Sequence, residues 1–110
     1  MKIQRVNEMI ETKQDFKKTI FFINWDDWSG LYINGDLINQ GHSINIYSVF
    51  KEICKLKINF SNYKICNIEI DRNLNEDDFE YFNYNLPKTM KEYCDGLTNL
   101  GVSLTIKEIN

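Results

Sequence analysis

The sequence has no alanine, a single proline (Pro87), a single histidine (His42) and no apolar run longer than Ile20 to Ile23. A run that short falls far below the roughly 20 residues a bilayer-crossing helix needs, so no membrane-spanning helix and no membrane partner are expected. Cys54, Cys66 and Cys94 are odd in number, and no secretory leader pattern precedes them, so reduced thiols in the cytoplasm are expected. They lack the close pairing of structural zinc ligands, and adding His42 does not supply it, so no metal is expected. Glycine-rich phosphate loops, Walker patterns, dinucleotide fingerprints and nucleophile elbows are all missing. Hence no cofactor is expected, and the case for an enzyme is weak.

Basic residues are also too dispersed to form a stripe. With a formal net charge of -3, nothing marks a binder of a nucleic-acid duplex, and the acidity is too thin for a mimic of DNA.

What the chain does have suits a folded domain. Hydrophobic residues make up 43% and charged residues 26% of its 110 residues, and no repeat, linker or low-complexity tract divides it. Residues 1–110 are read as one domain, with residues 1–18 a helix and 19–110 a core.

Within 1–18, Ile3, Val6, Met9, Ile10 and Phe16 form a stripe near helical spacing. Thr19 to Asn24 is a short apolar run of the kind a sheet buries on both faces. Asn34-Gly35, the favoured dipeptide of a type I′ turn, joins Leu31–Ile33 to Asp36–Ile38 and predicts a β-hairpin. A two-residue loop would set Ile33 opposite Asp36, Tyr32 opposite Leu37 and Leu31 opposite Ile38. Leu31, Ile33 and Ile38 would then share one face, and Trp28, Tyr32 and Leu37 the other.

Ile46, Val49, Phe50 and Ile53 predict an amphipathic helix packed on the sheet, capped by Ser43 or Asn45. Tyr63 to Ile70 reads as a strand. Asn75 before Glu76, Asp77 and Asp78 reads as a capped acidic helix start. Pro87 at a first helical position, with Met90, Cys94 and Leu97 beyond it and Gly96 near the end, marks another helix. Val102, Leu104 and Ile106 alternate as a closing strand. The fold expected is α+β: a small mixed sheet containing the Asn-Gly hairpin, packed with two to four helices.

The run Asp27-Trp28-Ser29-Gly30-Leu31-Tyr32-Ile33-Asn34-Gly35 and the following Gly41-His42 resemble a signature of short uncharacterised bacterial and phage proteins. Those proteins carry Asp-Trp-x-Gly-Leu-Tyr, an Asx-Gly turn and Gly-His before a helix. Leu86-Pro87-Lys88-Thr89 is similar to their C-terminal Leu-Pro-x-Thr segment. Gln40 departs from the glutamate more usual before Gly-His, and residues 1–18 extend beyond the start of these relatives. The resemblance implies a phage or mobile-element accessory protein and names no substrate.

Candidate site residues gather around Trp25-Asp26-Asp27-Trp28, where two indoles flank two carboxylates at a strand junction. Stacking on such rings contributes about 1 to 3 kcal/mol per base. The competing reading puts both indoles in the core and both aspartates in a turn. Tyr32 is expected to be partly exposed beside Trp28. His42 is placed nearby as a loop-anchoring group, with Ser43 better suited to capping than to nucleophilic attack. Glu76, Asp77, Asp78 and Glu80 lack the pattern of a calcium loop and read as a solvated helix start.

Taken together, Trp25, Asp26, Asp27, Trp28, Tyr32 and His42 suggest a binding protein acting by stoichiometric capture of a host protein or a nucleotide-like ligand. Two other readings stay open. One is a small hydrolase using His42 with Asp26 or Asp27; the other is a homodimer joined through the hairpin.

Overall fold

A computed structural model of the protein describes residues 2–5, 16–44, 46–57 and 59–109. Strands run over Lys2–Arg5 (β1), Thr19–Asn24 (β2), Ser29–Ile33 (β3), Asp36–Gly41 (β4), Lys64–Ile70 (β5) and Leu104–Glu108 (β6). Helices span Ile46–Leu56 (α1), Glu76–Tyr81 (α2) and Met90–Asn99 (α3), with a 3-10 turn at Phe60–Asn62. Among the described residues the strands form one sheet in the order β1-β6-β5-β2-β3-β4. It is mixed: β2 and β5 run parallel, and every other neighbouring pair is antiparallel. The fold is thus α+β, as the residue pattern predicts.

Lys2–Arg5 corrects the N-terminal expectation. These residues pair with β6, Lys2 opposite Glu108 and Arg5 opposite Thr105, and so cannot belong to a helix. Phe16 to Lys18, at the other end of that predicted helix, form a turn instead; its residues 1 and 6–15 lie outside the described residues, as does Asn45, one of the two caps proposed for α1.

Alternation along the strands sends Phe21, Ile23, Tyr32, Cys66, Leu104 and Ile106 to one side of the sheet, where they pack with Phe82, Leu86, Met90, Tyr93 and Leu97 from α3 and the segment before it. Fully burying one such side chain stabilises by about 1.5 to 3 kcal/mol. Leu31 and Ile33 point to the opposite side and are buried there too, whereas Phe22 on that side is 47% exposed. Burial of β2 on both faces is therefore not met at Phe22. Helix α1 departs as well, with Phe50 exposed and Val49 and Ile53 half-buried. Of the cysteines, Cys66 and Cys94 are buried and Cys54 is exposed.

The hairpin turn forms at Asn34 and Gly35, with φ of 56° and 84°, the positive pair a type I′ turn requires. Ile33 faces Asp36 and Tyr32 faces Leu37, as the two-residue loop dictates. Beyond that a bulge shifts the register, and Leu31 pairs with Asn39 in place of Ile38. The extra residue lets β4 bend while Gly30 and Ser29 stay paired with Gln40 and Gly41.

Helix α3 starts later than Pro87 suggests. Thr89 is its N-cap, accepting from the Glu92 amide, because residues 86–90 are held against the hairpin: Leu37 N–H donates to Lys88 at 2.8 Å and Met90 N–H to Gly35 at 2.8 Å. Nor does Gly96 end the helix. A Cβ there would lie 2.5 Å from the Phe82 ring, so that glycine serves close packing, and Gly101, with φ 77°, makes the C-terminal turn. Asn75 caps α2 in a capping box with Asp78, whose carboxylate also takes a forked contact from Arg72 at 2.6 and 3.1 Å.

Candidate functional site

The loop between β2 and β3 is only four residues long, Trp25 to Trp28. Trp25 N–H donates to the Trp28 carbonyl at 2.7 Å, and the Ser29 hydroxyl meets Asn24 Oδ1 at 2.9 Å across the neck. Such a tight turn sends the two indoles to different neighbours.

Trp25 leans on the helices. Its ring centroid is 5.0 Å from that of Phe79 and 5.7 Å from that of Phe82, and its Nε1 donates to the Tyr93 hydroxyl at 3.1 Å. Burial pushes the Tyr93 hydroxyl up to about 12, against the lowering effect of the Trp25 contact, so it remains a phenol at neutral pH.

Trp28 is fixed by Gln40. One side-chain oxygen, Gln40 Oε1, accepts from Trp28 Nε1 at 2.8 Å and from the Leu86 amide at 2.8 Å, tying the loop, β4 and the segment before α3 into one unit. His42 stands edge-on to the Trp28 indole, ring centroids 5.0 Å apart. Its Nδ1 lies 3.2 Å from the Asp27 carbonyl oxygen; since a carbonyl can only accept, Nδ1 carries the hydrogen. The Asp27 carboxylate is further away, at 3.8 Å, and the two side chains are 77% and 92% exposed.

A third wall comes from α2. Glu76 begins the helix and Phe79 follows one turn later. The chain then stops in a Schellman arrangement: Asn83 N–H donates to Glu80 and Tyr84 N–H to Phe79, both at 2.8 Å. Asn83 and Tyr84 both take positive φ, 57° and 58°. For a tyrosine this conformation costs about 1 to 2 kcal/mol, and it brings the Tyr84 hydroxyl to 2.7 Å from Glu76 Oε1. The Glu76 carboxylate holds the Tyr84 hydroxyl above its ordinary value, so it stays a donor.

Together these walls enclose a cleft of about 440 Å³ lined by Trp25, Asp26, Asp27, Trp28, His42, Glu76, Phe79 and Tyr84. Five of the six residues singled out in the sequence therefore meet at one place. Tyr32 does not, and its expected exposure is corrected: it is fully buried, stacks on Tyr93 and donates to the Pro87 carbonyl at 2.6 Å. Central position on β3 puts its ring under α3 rather than beside Trp28.

Glu76, Phe79, Tyr84 and Gln40 were not among the residues expected at the site. Glu76 read as part of a solvated helix start, and Gln40 was noted only as a departure from the usual glutamate. A second cleft of about 310 Å³ lies on the other side of Trp25, at the carboxyl ends of the parallel pair β2 and β5, with Asn24, Asn67 and Asn73 on its walls. Among the described residues, no group of three or more histidine, cysteine or acidic side chains could hold a metal, and no helix is long and apolar enough to cross a membrane.

Compared with protein-family models, with curated proteins and with solved structures, the chain matches none of them.

Proposed function

We propose that the chain is a small, cytoplasmic, non-catalytic binding protein of the phage or mobile-element accessory type, and that it acts by stoichiometric capture of a host defence protein. The observation that carries this reading is the cleft in which Trp25, Trp28, Phe79 and Tyr84 surround exposed carboxylates. Rings held in place by neighbours lose little freedom on binding, which is why aromatic side chains dominate the energetics of recognition surfaces.

Of the two targets the sequence allows, protein is favoured over a nucleotide signal. Phosphates entering this cleft would approach Asp26, Asp27 and Glu76 with no lysine or arginine among the lining residues to offset the repulsion. A hydrolase using His42 with Asp26 or Asp27 is the less supported alternative. Nδ1 is engaged with a main-chain carbonyl, and no serine, threonine or cysteine lines the cleft to act as nucleophile.

The test is affinity capture from a bacterial lysate with the parent chain and with Trp28→Ala, both resolved by mass spectrometry. A partner recovered in equimolar amount by the parent and lost with Trp28→Ala is the expected result. Equal recovery by both forms removes the cleft from consideration. Turnover of a captured molecule that disappears in His42→Ala would move the protein to the hydrolase class.

A further inference from the structure

Resting on that reading, we infer that the cleft recognises a cation, the guanidinium or ammonium head of an arginine or lysine side chain carried by the partner protein. Two independent properties of the walls agree on the sign of the ligand. Trp25, Trp28 and Tyr84 line the cleft, and an aromatic ring attracts a cation placed over the negative face of its quadrupole. Asp26, Asp27 and Glu76 bring three carboxylates to the same space.

Among the described residues, no lysine or arginine forms an ion pair with these carboxylates. Glu76 has the Tyr84 hydroxyl as its partner, a neutral donor that orients the carboxylate and leaves its charge. Among the described residues, the basic group that Asp27 meets is the exposed His42, at 3.8 Å.

Shape separates a side chain on a protein from a small free amine. Asp27 lines the cleft while its side chain stays 92% exposed, so it is open to a ligand that continues out of the cleft. A basic side chain with its flanking backbone meets both requirements: the stem and charged head lie among the rings, and the neighbouring amides run along the rim.

Both tryptophans of the chain border the cleft, so intrinsic fluorescence reports it without background. The full chain is titrated with an end-blocked Gly-Arg-Gly peptide, with spermidine and with AMP. Expected is a saturable change with the peptide that weakens as salt is raised, and that falls on the order of tenfold or more in Asp26→Asn/Asp27→Asn. Circular dichroism of that variant verifies that it is folded.

Saturation by AMP in place of the peptide keeps the capture reading and overturns the cationic assignment. Spermidine binding more tightly than the peptide overturns the protein-borne source. No response to any probe, with the lysate partner still lost in Trp28→Ala, also overturns the cationic head. No response together with equal recovery by Trp28→Ala ends both readings.

Discussion

β3 begins and ends in tight turns that share its backbone and little else. At the Asn34-Gly35 end, Asn34 donates its amide to Thr19, accepts from Lys18 N–H through Oδ1 at 2.8 Å and donates through Nδ2 to Tyr63 at 3.0 Å, while Gly35 accepts from Met90. At the Trp25–Trp28 end, backbone and indoles are equally well held, yet the two aspartates between them stay exposed. Polar groups committed to the chain's own neighbours contribute to folding. Groups left over on a rigid frame remain available to something else, and the difference separates a structural turn from a recognition turn.

The contrast breaks most visibly at the closed end. Asn34→Ala removes two side-chain hydrogen bonds and forces a Cβ-only side chain into a positive-φ position, which is expected to cost about 2 to 3 kcal/mol in urea unfolding and to leave ligand affinity per folded molecule unchanged. A cost below about 0.5 kcal/mol would mean that this turn is no more structural than the open one.

Next in size is the support of α2, the wall the open end leans on. Arg72 holds the Asp78 carboxyl below its ordinary value, chiefly through the hydrogen-bonded contact. A depressed carboxyl contributes stability above its unfolded value of about 4 and loses it as pH falls through the folded value. Asp78→Asn is therefore expected to unfold more easily than the parent at pH 7, by about 1 to 2 kcal/mol given the partly exposed arginine, with the gap closing in strong acid. Denaturation curves for both proteins between pH 7 and pH 2 measure it, and a gap independent of pH would point to the capping contacts alone.

A smaller effect is expected at Gln40. Gln40→Leu removes the acceptor shared by Trp28 and Leu86 and should cost about 1 kcal/mol while red-shifting tryptophan emission. Gln40→Glu keeps an oxygen there and should restore the emission maximum. Smallest of all, Asp26→Asn/Asp27→Asn should change stability by less than about 0.5 kcal/mol, since neither exposed side chain supports the loop. A large loss of stability in that variant would erase the distinction between the two turns.

Local signals carried the sequence reading where chemistry is local. Asn-Gly supplied the I′ turn, Asn75 with Asp78 supplied a cap, and the Trp-Asp-Asp-Trp cluster and His42 were legible because four of them adjoin and the fifth follows directly on the end of β4. Tyr32 was misplaced because alternation tells which residues share a side and not which side receives the helices. The Leu31 partner was missed because a bulge has no residue signature of its own. Ile3 opens the stripe of helical spacing, but pairing of Lys2–Arg5 with a strand about a hundred residues away outweighs a weak local preference. Tyr84 reaches the cleft through two successive positive-φ residues, neither of them glycine, and no composition rule anticipates that.

The bulge and the Lys88–Met90 segment have a further consequence for β4, which stands at the edge of the sheet. An edge strand ordinarily presents a row of amides and carbonyls on which another chain can polymerise. Here the first half of that row is already occupied, through Leu37 N–H, Gly35 C=O and the bridge between Asp36 and Thr89, and the bulge between Leu31 and Tyr32 breaks the regular spacing just beyond. A second copy adding a strand here would meet the Lys88–Met90 segment at Asp36 and Leu37, which guards that half of the edge against pairing with another chain.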